Sequence, residues 1–186
     1  MSEARSALAG ARFAGIAHVE EAGLVGMISF RGDLGHAKVK SAVKAVAGAA
    51  IPKPRGVALA GATGVAWMSP DELLILVPHA EADAVVAKLS TALKGQHFMA
   101  ENVSDARAVF TVTGPHAREV IGKLAPVDMS RFAEGEIRRT RLAQVAAALW
   151  ISAPDSITVV CFRSGAQYMF DLLSAAAQEG SAVGVY

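Results

Sequence analysis

Trp67-Met68-Ser69-Pro70-Asp71-Glu72-Leu73-Leu74-Ile75-Leu76-Val77-Pro78 and, later in the chain, Trp150-Ile151-Ser152-Ala153-Pro154-Asp155 are two versions of one phrase. In each, a tryptophan closes an extended run, proline and aspartate mark a tight reversal, and an apolar strand returns: Leu73 to Val77 in the first, Ile157 to Phe162 in the second. Working outward, Gly32 overlays Gly114 and Trp67 overlays Trp150, two offsets that agree to within one residue.

The flanking segments repeat as well. In the first half a strand over 24–31 enters the turn Gly32-Asp33-Leu34-Gly35, and a helix over 36–47 follows, with Val39, Val43 and Val46 on one face and Gly48 as its stop. Ile51-Pro52-Lys53-Pro54 forces an extended loop, and a glycine-punctuated segment over 56–68 leads into the hairpin. A second helix runs from Glu81 to Lys94 with Val85, Val86, Leu89 and Leu93 buried. In the second half, strand Val109 to Thr113 meets Gly114-Pro115, and Val120, Ile121 and Leu124 supply the next helix face. Residues 126–136 read as a loop and Arg139 to Trp150 as one long extended stretch. The closing helix gathers Met169, Leu172, Leu173 and Ala176 on one side.

A strand-helix-strand-strand-helix half is too small to bury a sheet face alone, but two such halves can do so together. The expectation is therefore an α+β fold over a single domain, 1–186. Its two pseudo-symmetric, ferredoxin-like halves fall at about 22–95 and 105–178, after a flexible segment over 1–15.

Composition narrows function chiefly by exclusion. A net charge of +1 with scattered basic residues offers no field for nucleic acid or anionic lipid. No apolar run reaches the roughly 18 residues that a membrane span needs, and the amino terminus lacks the apolar core of a signal peptide, so a cytoplasmic location is expected. Hydrophobic residues make up 53% and charged residues 19%, a balance that suggests a buried partner face. Cys161, the single cysteine, lies in an apolar strand and reads as an inert core thiol.

Candidate chemistry is thin. His18, His36, His79, His97 and His116 lack metal-ligand spacing, and Gly56, Gly61 and Gly64 fit neither a phosphate loop nor a dinucleotide fingerprint. Gly114-Pro115 reads as a connector and not an anion site. Glu20-Glu21 and Asp71-Glu72 read as surface charge, so no acid-base pair is expected. Arg138, Arg139 and Arg141, with Arg131 and Arg163, form the densest basic group; partner contact, ligand contact and plain solvation all remain open for it. Trp67 and Trp150 are candidates for interface anchors, with inward packing an equal alternative.

Several motifs together carry a resemblance: Trp67 to Leu74, Val103-Ser104-Asp105, Val112-Thr113-Gly114-Pro115-His116-Ala117-Arg118, and Pro126-Val127-Asp128. In order and spacing, over roughly residues 22 to 178, they resemble the gamma subunit family of heterotetrameric sarcosine oxidase. The resemblance implies a fold like the folate-binding domain of the glycine-cleavage aminomethyltransferase. It also implies a complex of alpha, beta, gamma and delta subunits that demethylates sarcosine to glycine, with hydrogen peroxide and methylenetetrahydrofolate as products. FAD, FMN, NAD, tetrahydrofolate and zinc would then sit in other subunits, with no cofactor in this chain. Two departures matter. Asn102 and Ala106 replace an acidic residue and a glycine common in the family turn, and no Asp or Glu lies between Glu136 and Asp155, where aminomethyltransferase relatives carry a catalytic acid. A non-catalytic structural subunit is the expectation; a free-standing folate or small-molecule binder and a homodimeric scaffold are the alternatives.

Overall fold

The computed structural model describes residues 3–185. The described residues form strands β1 (Arg12–Ala14), β2 (His18–Glu21), β3 (Val25–Gly32), β4 (Val57–Ala60), β5 (Thr63–Ser69), β6 (Glu72–Pro78), β7 (Phe98–Asn102), β8 (Arg107–Thr113), β9 (Ile137–Leu142), β10 (Val145–Ala153) and β11 (Ser156–Phe162). The helices are α1 (Ala37–Ala47), α2 (Ala82–Ala92), α3 (Ala117–Gly122) and α4 (Ala166–Ala176). All pairing is antiparallel, in two sheets ordered β4-β5-β6-β3-β7 and β1-β2-β8-β11-β10-β9. Each sheet belongs to its own compact unit: Val25–Ser104 holds the first, and the residues up to Leu24 together with those from Asp105 onward hold the second.

In Val25–Ser104, alternate residues of the central strands, Ile28 and Phe30 of β3 with Leu73, Ile75 and Val77 of β6, face Val39 and Val43 of α1 and Val85 and Leu89 of α2. These side chains are essentially fully buried, and each such burial stabilises by about 1.5–3 kcal/mol. Helix α1 begins at His36, whose Nδ1 accepts the Lys38 N–H, and ends at Gly48 in the left-handed conformation (φ 68°). The other unit repeats the scheme with Phe110, Val112, Leu149, Ile157 and Val159 against Val120 and Ile121 of α3 and Met169 and Leu173 of α4. Residues on the second face of each sheet are buried too, among them Met27, Ala66 and Leu74 in one and Ala148, Trp150 and Val160 in the other. A strand buried on both sides reads as an unbroken apolar run, which is why Leu73 to Val77 and Ile157 to Cys161 stand out in the sequence.

Two short strands pair away from their neighbours in sequence. β2 leads directly into β3 along the chain but pairs with β8; β7 leads into β8 but pairs with β3. One sheet is thus made from the continuous run β3 to β7, whereas the other draws β1 and β2 from ahead of that run and β8 to β11 from after it. Halves drawn at about 22–95 and 105–178 leave out β7 and the β1-β2 hairpin, because Arg12–Ala14, His18–Glu21 and Phe98–Asn102 are too short and too polar to announce themselves.

Of the segment expected to be flexible, Met1 and Ser2 lie outside the described residues, and several residues from Ser6 onward make hydrogen bonds to the rest of their unit. The Glu21 carboxylate accepts from the Ser6 hydroxyl (2.9 Å), the Ala7 N–H (3.2 Å) and the Gly10 N–H (2.8 Å). At 2% exposure Glu21 is buried, contrary to its reading as surface charge. The Ile16 N–H donates to the Ala177 carbonyl (2.9 Å), and a Cβ at Gly15 would fall 1.9 Å from that oxygen, so only glycine fits there.

Two further corrections concern turns. The long stretch from Arg139 to Trp150 is two strands, β9 and β10, reversed at Ala143 (φ 46°), where no glycine, proline or asparagine signals a turn. The tryptophans are also not equivalent. β5 pairs Trp67 with Leu73 and β10 pairs Ile151 with Ile157, each just before a bulge, so Ile151 is the counterpart of Trp67. A one-residue difference in register reverses the face: Trp67 packs on the helix side of its sheet, whereas Trp150 points to the other side.

Candidate functional site

Helix α1 exposes Lys40, Ser41 and Lys44 beside the extended loop that carries Ile51, Pro52, Lys53 and Pro54. The amphipathic pattern of α1 sets this geometry, since Val39 and Val43 point into the core and leave the next residues on the open side. Between helix and loop lies an open cleft of about 960 Å³, walled by Leu34, Ile51, the proline rings and Trp67. Trp67 is half-buried, with part of its ring against the core and part toward the cleft. No Asp or Glu lines the cleft; the cations are Lys40, Lys44 and Lys53. The neighbouring carboxylates are already engaged, because Arg31 spans Asp71 and Glu72 at 3.0 Å each. The Ser69 hydroxyl, donating at 2.6 Å, holds the Asp71 carboxyl below its usual range, with Arg31 adding to the effect.

The other expected anchors are placed differently. Arg138 extends on the Leu149 side of its sheet, over the Phe132 ring (5.0 Å) and against the Glu136 carboxylate (2.7 Å). By strand alternation Arg139 and Arg141 lie on the opposite face, both exposed. The three arginines therefore do not form one patch, and none lines the Trp67 cleft. Trp150 is 3% exposed, so it packs inward and presents almost no surface.

A buried carboxylate went unread in the sequence. Glu119 of α3, 2% exposed, accepts the backbone N–H groups of Val183 and Gly184, with Lys123 Nζ 3.5 Å away and His116 Nδ1 3.7 Å away. Lys123 also donates to the Ala176 and Ser181 carbonyls, so the two side chains together pin the segment after α4. The Val183 and Gly184 amides, followed by Lys123, hold the Glu119 carboxyl below its ordinary range against the cost of burial. A depressed carboxyl stabilises the fold above its unfolded-state value, and the contribution fades as pH falls through the folded value. Protection of the Val183 and Gly184 amides from hydrogen exchange is thus expected at neutral pH, lost on acidification below the ordinary glutamate range, and already absent at neutral pH in Glu119→Ala.

Cys161 is buried, and burial pushes its thiol up to about 11, slightly offset by Arg107, as expected for an inert core thiol. Among the described residues no three of His, Cys, Asp and Glu come together in a way that could hold a metal ion. No described helix is long and apolar enough to cross a membrane.

Comparison with known proteins places this geometry. Residues 31–179 match the sarcosine oxidase, gamma subunit family. A sarcosine oxidase subunit gamma from Arthrobacter sp is 32% identical over 136 residues, 71% of this chain and 64% of that protein, so the match spans less than two thirds of the relative's length. Among solved structures, a chain of heterotetrameric sarcosine oxidase from Corynebacterium sp. U-96, in complex with pyrrole 2-carboxylate, superposes with a TM-score of 0.80 at 26% identity, covering 94% of this chain and 91% of that one. Aminomethyltransferase T of the glycine cleavage system from Bartonella henselae gives 0.61 at 13% identity, over 83% of this chain and 45% of that one, a likeness of fold alone.

Proposed function

The chain belongs to the sarcosine oxidase gamma subunit family, and on that premise we propose that it is the non-catalytic structural subunit of a cytoplasmic heterotetrameric sarcosine oxidase. The observation that carries the assignment is the near end-to-end superposition on a chain of such a heterotetramer. In this reading alpha, beta and delta partners hold FAD, FMN, NAD, tetrahydrofolate and zinc. They convert sarcosine to glycine with formation of hydrogen peroxide and methylenetetrahydrofolate.

The β9-β10 hairpin supports the non-catalytic role. It carries three arginines and no carboxylate from Ile137 to Ala153, so nothing on it could take a proton from a folate amine or stabilise a developing iminium charge. The matching element order β3-α1-β4-β5-β6-α2 and β8-α3-β9-β10-β11-α4 supports two related, ferredoxin-like halves, a fold retained without the chemistry of its relatives.

The test is a tagged pull-down from the native cytoplasm, with mass spectrometry and an absorbance scan of the eluate. Three unlike chains co-eluting with a flavin spectrum are expected. A colourless homo-oligomer that binds tetrahydrofolate would overturn the assignment in favour of a free-standing binding protein.

A further inference from the structure

The Trp67 cleft combines two properties that a solvated surface has no reason to combine. Its walls are apolar and stiff, since proline rings and a tryptophan held by the core lose little freedom when covered. Its rim carries positive charge only: Lys40, Lys44 and Lys53 make no ion pair among the described residues, on a chain whose net charge is just +1. No acidic side chain lines the cleft among these lysines: Asp71 and Glu72 are turned to Arg31, and the exposed Asp33, next to the lining residues Leu34 and Gly35, accepts the Gly35 N–H.

We propose that the Trp67 cleft docks a partner-subunit segment in which an apolar side chain is flanked by aspartate or glutamate. The apolar residue fills the space beside Trp67 and Ile51, and the acids meet the lysine rim. Lys40 and Lys44 are one helical turn apart, about 6 Å along the axis. That step matches carboxylates two residues apart on an extended strand, about 6.6 Å. The inference rests on the subunit reading above and adds to it the face and the chemistry of contact.

The experiment is co-expression of the full chain with the other oxidase subunits, comparing wild type with two variants. One is Lys40→Glu/Lys44→Glu/Lys53→Glu, which reverses the rim; the other is Ser41→Trp, which fills the cleft without touching the core. Both variants are expected to unfold thermally like wild type. The charge-reversed chain is expected to assemble roughly 100-fold more weakly, because like charges then face each other across the contact. Ser41→Trp is expected to assemble more weakly as well. A photo-crosslinker at position 41 should capture an acidic segment of another subunit. If wild type fails to assemble, the subunit reading falls and this inference with it. If wild type assembles and both variants assemble equally well, or if the crosslink joins two copies of this chain, the docking surface alone is overturned.

Discussion

Phe110→Ala is expected to lower the stability of the folded chain by about 3–5 kcal/mol. Phe110 lies on β8, between β2 and β11, paired with Glu21 on one side and Val159 on the other. It is 0% exposed and belongs to the core formed with α3 and α4. Truncation removes most of the ring and leaves a cavity that neighbours fixed by two ladders cannot fill. Domains are typically stable by about 5–15 kcal/mol, so the change would remove a large share of the total. Urea titration is the direct measurement, and Phe110→Leu should recover most of the loss. A shift for the alanine variant of less than about 1 kcal/mol would mean that the ring does not fill this core.

Glu21→Ala is expected to cost about 2–4 kcal/mol, from one hydroxyl and two backbone N–H groups left without their charged acceptor. The effect should be local in one respect: the Ala7 and Gly10 amides, held by the carboxylate, should exchange with solvent far faster than in wild type. Glu21→Gln keeps one acceptor oxygen and should fall between the two. Unchanged exchange at both amides in the alanine variant would show that the β1-β2 ladder, and not the carboxylate, orders this segment.

Much of the fold was legible because its central strands and helices obey strong periodicities. Val39 with Val43, Val85 with Leu89, and the run Leu73 to Val77 announce their elements, and Gly48 announces a helix end. What stayed hidden was decided by contacts distant in sequence. β2 and β7 are short and carry Glu20, Glu21 and Glu101; only their partners β8 and β3 make them strands. Glu21 and Glu119 look like surface acids until the backbone N–H groups of Ala7 and Gly10, and of Val183 and Gly184, arrive. The Trp67 cleft was half legible. The tryptophan was singled out, but nothing local says that the loop of Pro52 and Pro54 stands across from Lys40 and Lys44. Trp150 misled because a single-residue offset before the bulge turns it to the other face of the sheet.

The distant pairing of β2 with β8 also sets an order of events during synthesis. When the ribosome has released residues 12–21, the β1-β2 hairpin exists as sequence but its neighbour in the sheet, β8, has not been made. The unit Val25–Ser104 contains every strand of its own sheet in one continuous stretch, so it can complete its hydrogen bonding while the hairpin still waits. The earliest strands are therefore among the last to find their place, after a loop closure spanning the whole of the other unit, the kind of distant pairing that slows folding. A nascent chain stalled before Arg107 would present a finished sheet behind a free amino-terminal hairpin, a species for which a chaperone would have time to compete.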